Sequence, residues 1–397
     1  MDKVVDKIIK CDVVVIGAGV SGVCAAVAAA RNGLKVLLVE KTNYLGGVAN
    51  KCMHTTVCGL YANNQQGTCD VNDTLNKGIP EELVRFLKSK YNIAEAKRIG
   101  KVFVLPLPDN SLASFLMTLL DSQKNIVSLL NTEIYEIDKK NNQLSSLRAK
   151  KSGESISIEP KIVIDCSGDS VVSKLAGIPF LIVDEAKQQL CGYTVKVVKI
   201  INSDDESLMI KVPYWAEKFV SLEGAPDFLK YTTYVKGDTL EEGYLKMNMP
   251  YSSRNLKEKY LSEIFRFITE HLQEMKNAQV EKTSEEVFAR GSAGTIGKYI
   301  LTEEDVLEAR KFDDGVVKGA WPIEQWLEEK GTCYKYVKEN DYYEMPKRCL
   351  KSKTVNNLIS AGKCISARHE ALGSIRVMGT CMSLGEASGC LALEMIK

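Results

Sequence analysis

Apolar residues recur along this chain with two periods, and the order of the two predicts a layered α/β protein. Residues 11–16 form a short β-branched run, the pattern of a strand buried on both faces. Residues 23–32 follow with helical character, Gly33 is placed to end that helix, and residues 34–39 read as a second strand closed by Glu40. Residues 81–90 and 111–123 carry helix-like apolar spacing, with Asn110 or Asp109 as N-cap of the second. Residues 125–158 alternate apolar and polar positions around an Asn-Asn turn at 141–142, which predicts an antiparallel meander. Beyond about residue 186 Lys, Glu and Tyr become frequent. Residues 255–276 there predict an amphipathic helix, and Thr302 with Asp305 a capping box.

Between the first strand and its helix stands Gly17-Ala18-Gly19-Val20-Ser21-Gly22, the G-x-G-x-x-G spacing. Gly17 permits the tight turn, Gly19 lets a pyrophosphate approach the backbone and the helix start, and Gly22 allows close helix packing. Glu40, about twenty residues on, suits the ribose hydroxyls of an adenosine half and disfavours a 2′-phosphate. The competing reading is a glycine-rich turn without a ligand. Residues 13–30 carry no charge and are long enough to imitate a membrane span, with small residues spaced like a helix-dimer motif. Glycines clustered at the centre and an alanine-rich second half argue for strand, turn and helix instead.

Length, at 397 residues, allows two or three packed lobes. The balance of 52 Lys and Arg against 51 Asp and Glu offers no basic excess for nucleic acid. Twelve cysteines fall at irregular spacing without a CxxC pair, so buried thiols of a reducing cytoplasm are expected, and neither zinc nor iron–sulfur ligation. Residues 1–10 lack the apolar core of a signal peptide, and the expected location is cytoplasmic.

After Glu40 the chain continues Lys41-Thr42-Asn43-Tyr44-Leu45-Gly46-Gly47, which resembles the extended fingerprint of the glutathione-reductase and fumarate-reductase superfamily, whose ligand is FAD. Residues 161–169, ending Ser167-Gly168-Asp169, resemble the segment returning beneath the adenosine in those proteins. Residues 357–362 resemble their last FAD strand, with Gly362 near the ribityl chain. Residues 361–382 and 299–306, with Phe312-Asp313-Asp314, are similar to a bacterial FAD-dependent oxidoreductase family. The resemblance covers most of the chain and is weakest over 186–290. An arginine-rich stretch preceding Tyr-x-Leu-Thr in that family is reduced here to Arg290, which removes support for an anion-binding role of those arginines.

This resemblance implies a Rossmann-type FAD-binding domain with an inserted antiparallel meander, at 1–185 and 345–397, and a smaller α+β substrate or cap domain at 186–344. Expected FAD contacts are Gly17, Gly19, Val20, Ser21, Gly22, Glu40, Lys41, Gly46, Gly47, Ser167, Gly168, Asp169 and Gly362, joined by Gly379, Thr380 and Cys381 at the start of the final helix. Arg376 is expected to hold an anionic group or stabilise flavin charge, against a structural ion pair with Glu370 or Glu386. His369 is expected to orient substrate or relay a proton, against a merely hydrogen-bonded role. His54 is expected near the ring, with non-covalent FAD as the expectation and a covalent bond to His54 as the alternative. Cys52 and Cys58 invite comparison with disulfide reductases, but five residues separate them instead of four, and no second dinucleotide fingerprint follows. His271 receives no role. The implied function is an oxidoreductase moving hydride or electrons between flavin N5 and a small polar or anionic substrate, with no membrane or nucleic-acid partner. The alternative is an electron-transfer subunit of a larger redox complex, and a homo-oligomer or redox partner protein is compatible with either.

Overall fold

A computed structural model of the chain describes residues 7–63, 69–183, 188–201, 225–226, 228–291, 293–328 and 330–397. The first strand, β1 (Lys7–Ile16), runs parallel to β2 (Val36–Val39) on one side and, along its full length, to a long strand on the other. That strand, in sequence the sixth of the sheet (Glu154–Asp165), forks. Its first residues pair antiparallel with the strand Gln143–Lys151, and Val163 to Asp165 pair parallel with the strand Leu358–Ser360.

The expected meander is therefore an extension of the main sheet, hairpinned at Asn141 and Asn142, both at positive φ. One part of it is corrected: Ile126–Leu129 pairs parallel with β2 at the opposite edge, because a short apolar run beside a buried strand is recruited there before the hairpin begins.

Helix α1 (Val20–Arg31) is buried along almost its whole length. It lies against the final helix, α2 (Met378–Ile396), at backbone distance: a Cβ on Gly385 would stand 2.1 Å from Ser21 O, and one on Gly389 2.4 Å from Ala25 O. This contact accounts for the uncharged second half of the stretch 13–30, which is buried from Ser21 to Ala30. Among the described residues no helix is long and apolar enough to cross a membrane.

A second core surrounds a four-stranded antiparallel sheet built from Cys191–Val198, Thr233–Lys236, Glu242–Met249 and Gln279–Thr283. The helix Lys257–His271 packs its Tyr260, Leu261, Ile264, Phe267 and Ile268 against that sheet, as the 255–276 pattern predicts. Within the 186–344 stretch, Leu301, Val317, Ile323 and Tyr343 pack into the first core and not the second.

The Thr302 capping box is formed, with Asp305 N–H donating to Thr302 Oγ1 (3.3 Å) and Thr302 N–H to Asp305 Oδ2 (2.9 Å). At the helix Ser111–Asp121 the expected cap is different. Asn110 sits in the left-handed region and makes no capping bond, while the Asp109 carboxylate accepts from Tyr244 Oη (2.7 Å) and Lys196 Nζ (3.3 Å) of the second lobe.

Candidate active site

A cleft of about 440 Å³ opens where the parallel strands end, between the two lobes. Its outer end is built by the first glycine loop. Gly17 has φ +96°, and a Cβ there would lie 2.6 Å from Cys166 O, so the turn out of β1 needs glycine twice over. A Cβ on Gly22 would come to 1.8 Å from Gly17 O, which closes the loop on itself. At Gly19 the same test finds nothing within 4 Å: the cradle stands open at the start of α1.

The Gly46-Gly47 segment folds back onto this loop, with Gly46 N–H donating to Ala18 O (2.8 Å). Glu40 braces both layers. Its Oε2 accepts from Ala18 N–H (2.7 Å), and its Oε1 from Thr42 N–H (2.9 Å) and Thr42 Oγ1 (2.7 Å). On the far wall Asp165, fully buried, accepts from Ser167 and from Val172 N–H, which holds the Ser167-Gly168-Asp169 turn in place. Burial raises the Asp165 carboxyl above its usual range, and these hydrogen bonds oppose that rise.

Of the residues expected to meet FAD, Gly17, Gly19, Val20, Ser21, Glu40, Lys41, Gly46, Gly47, Ser167, Gly168, Asp169, Gly362 and Cys381 all line this cleft. Three do not. Gly22 is occupied by loop packing. Gly379 donates its N–H to Cys58 O (2.8 Å) and leaves no room for a Cβ against Gly59 O, also at 2.8 Å, and Thr380 is fully buried. At the start of α2 the wall is made by Val377, Met378 and Cys381 instead. The first turn of that helix is spent partly on seating the 58–60 loop, a use of its N–H groups that spacing alone does not reveal.

The inner end carries a cluster of cations. Arg376 is not paired with Glu370 or Glu386; its Nη2 donates to Gln189 Oε1 (3.1 Å) and Glu324 O (3.0 Å), and its buried Nη1 finds no partner among the described residues. Arg290 donates to Leu190 O and to Asn248 Oδ1 (2.7 Å), with its guanidinium 4.3 Å from the Trp326 ring centroid and 4.9 Å from that of Phe288. Burial pushes Arg290 down to about 9, helped by Arg376 nearby, and burial pushes Arg376 to about 10 against the attraction of Glu324. Lys246, half-buried in the same wall, is also lowered by desolvation, opposed by Cys58 and Glu324 and aided by Arg290. His54 lines the cleft edge-on to Phe288 at 5.2 Å, and burial, with Lys246 and Arg290 adding, drives it to about 3; it is a neutral imidazole.

His369 is displaced from its expected place. It borders a separate small pocket with Leu181, Ile182 and Glu370, and its Nε2 lies 3.3 Å from Gln189 Nε2. Cys52 and Cys58 are free thiols, each raised to about 12 chiefly by burial, which opposes thiolate formation. His271 ends its helix against Phe267. Among the described residues no cluster could hold a metal ion.

Lys246, Glu324 and Gln189 were missed by sequence reasoning, as was the setting of Arg290. One signal existed. In Glu242–Met249 the residues Tyr244, Lys246 and Asn248 alternate with Leu245, Met247 and Met249, and the polar set looks like a solvent face, whereas Lys246 and Asn248 line the cleft.

A parallel sheet with a glycine-rich turn at its carboxyl edge and a second lobe closing over it defines a Rossmann-type nucleotide-binding flavoprotein. The profile of the family described as FAD dependent oxidoreductase matches residues 12–397, and the chain belongs to that family. A curated relative, the digeranylgeranylglycerophospholipid reductase of Methanothrix thermoacetophila, is 28% identical over 183 residues, which span 43% of this chain and 42% of that protein. The match thus spans less than half the relative's length. Among solved structures, the flavin-dependent brominase Bmp2 aligns with TM-score 0.52 at 11% identity over 98% of this chain and 80% of its own. OxyS anhydrotetracycline hydroxylase from Streptomyces rimosus aligns with TM-score 0.52 at 11% identity over 97% and 63%. Both show the fold. The open cradle at Gly19, with the braced Glu40 beside it, fits FAD as the cofactor of the family. The reading as an electron-transfer subunit gains nothing from these relatives.

Proposed function

We propose that this oxidoreductase acts on a small anionic molecule held at the inner end of the cleft, with Arg376 as its principal anchor. The observation that carries this is a half-buried guanidinium in the cleft lining whose buried Nη1 has no partner among the described residues. A buried donor without an acceptor costs about 1–3 kcal/mol, more when charged, and a ligand oxygen relieves that cost. FAD supplies hydride or electron transfer at N5. Arg290 adds a second positive charge, fixed by Leu190 O and Asn248 and flattened between Phe288 and Trp326. Lys246, with its pKa depressed, can hold or release a proton at Nζ beside the bound anion. Glu324 accepts from the indole N–H groups of Trp321 and Trp326, so its charge is committed within the wall. Neutral His54 supplies shape and excludes water.

The test is a titration of the FAD-loaded protein, under nitrogen, with a panel of small carboxylates and with sulfate, followed by flavin absorbance. Perturbation of the flavin bands by anions, lost in Arg376→Ala while FAD content is kept, is the expected result. Bands that respond only to uncharged molecules would overturn the reading. Anaerobic NADH and NADPH added to the same samples show whether the reducing equivalents come from pyridine nucleotide or from the substrate.

A further inference from the structure

Two adjacent residues ahead of the second-lobe sheet hold both arginines. Leu190 O accepts from Arg290, and the Gln189 side chain, 3% exposed, accepts from Arg376. The same segment is stitched to the strand Ile323–Leu327, since Leu190 N–H donates to Trp326 O (2.9 Å). Gln189 Oε1 takes a second bond from Trp326 N–H (3.1 Å).

Both groups facing Oε1 are obligate donors: a backbone N–H and a guanidinium. Turning the amide over would press its NH₂ against two other N–H groups within the protein, so only one orientation can be populated. That orientation places Gln189 Nε2 3.3 Å from His369 Nε2. An amide nitrogen donates and does not accept, so His369 Nε2 must be the acceptor and carries no proton. Arg368 and Glu370 flank His369 on its own helix, His369 Cε1 faces Gly291 across the pocket, and Arg376 lies beyond Gln189.

We infer that Gln189 is a positioning residue: its amide fixes Arg376 in the cleft wall and holds His369 as the neutral imidazole protonated on Nδ1. The amide, oriented by Trp326 N–H and Arg376, thereby sets the tautomer of His369. The consequence for substrate rests on the anion-binding reading above, whereas the tautomer and the fixed guanidinium do not.

The chain has three histidines, so the full-length, FAD-loaded protein labelled with ¹⁵N at histidine gives three rings, with His369 assigned by loss of its signals in His369→Gln. The expected result is an unprotonated Nε2 and a protonated Nδ1. Gln189→Glu keeps an acceptor for Trp326 and Arg376 but removes the donor, so His369 Nε2 should become protonated. A wild-type Nε2 that carries a proton, or one indifferent to Gln189→Glu, overturns the inference. With ¹⁵N-arginine, Arg376 should show separate Nη1 and Nη2 resonances from hindered rotation, merging in Gln189→Leu. A pair that stays separate in Gln189→Leu removes the positioning role. Should that variant fail to fold, Gln189→Asn, one methylene too short to span both partners, carries the same expectation. If carboxylates and sulfate leave the wild-type flavin bands unmoved while these resonances behave as stated, the anion reading has failed and Gln189's role stands.

Discussion

The outer end of the cleft is made from backbone. Gly17, Gly19, Gly46 and Gly47 lie within about thirty residues of one another, and what they offer a ligand is N–H groups, the start of α1 and one braced carboxylate. The inner end is made from side chains drawn from distant segments: Lys246, Arg290, Glu324 and Arg376, half-buried and charged, with Arg290 steadied by Leu190 O and Asn248 and Arg376 by Gln189. Backbone sites tolerate little change of shape, because Gly17, Gly22, Gly46 and Gly47 are already in contact. Side-chain sites tolerate little change of charge or donor geometry, because burial has removed the water that would compensate. Substitutions at the two ends should therefore fail in different ways.

The largest effect is expected at the outer end. Gly22→Ala would set a Cβ 1.8 Å from Gly17 O, a contact with backbone that no rotamer relieves. Overpacking of this kind costs on the order of 1–3 kcal/mol or more, and here it displaces the loop that cradles the pyrophosphate. The purified variant should carry little flavin and melt lower than the wild type. Full flavin content with an unchanged melting temperature would show that this end is softer than its geometry implies. Next comes Arg376→Lys. Lysine keeps the charge but cannot reach Gln189, Glu324 O and a ligand together. A loss of about 2.7 kcal/mol in transition-state binding, roughly a 100-fold fall in the rate of flavin reduction by substrate, is expected with FAD content preserved. A parallel loss of FAD would mean that the two ends are not separable.

The same contrast explains what could be read from the chain. The glycine loop is legible because each residue type answers a local backbone demand: Gly17 its positive φ, Gly22 its contact with the turn. Arg376 was legible through its neighbourhood to the last helix, though its partners were not, since Gln189 and Glu324 reach it only through the tertiary fold. His369 was misplaced because a short helix, His369–Ile375, leads from the small pocket to Arg376 in the cleft wall, and spacing does not say which face of that helix turns inward. Lys246 was illegible for a different reason. A polar residue alternating with apolar ones reads as solvent-facing whenever the lobe that buries it is encoded elsewhere.

A smaller effect should expose the strain stored at the inner end. Burial, with Lys246 and Arg290 adding, lowers His54 to about 3, below the value of about 6.5 for an unfolded histidine. A depressed histidine leaves stability intact above the unfolded value and removes it as pH falls, because only the unfolded chain then takes up the proton. Between pH 6.5 and 4 the wild type should lose about 2 kcal/mol relative to His54→Gln; the full linkage value is discounted because the ring is not wholly enclosed. Urea unfolding of both proteins at a series of pH values measures this. Parallel curves would mean that the imidazole is hydrated and that the inner end is wetter than its burial suggests.

The smallest expected effect lies at the one charged group of the outer end. Glu40 uses one oxygen on Ala18 N–H and the other on Thr42, so it braces the glycine loop before any ribose reaches it. Glu40→Gln keeps one acceptor and turns an NH₂ against a backbone N–H, either that of Ala18 or that of Thr42. The loop can relax away from this at a cost of about 1 kcal/mol, and fluorescence titration of the apoprotein should show FAD binding weakened about fivefold. A loss beyond a hundredfold would mean that the carboxylate's bonds to the ribose outweigh its bracing of the loop, and the outer end would then depend on a side chain as strongly as the inner end does. An unchanged affinity would mean the reverse, with the backbone of Gly17 to Gly22 carrying the nucleotide alone.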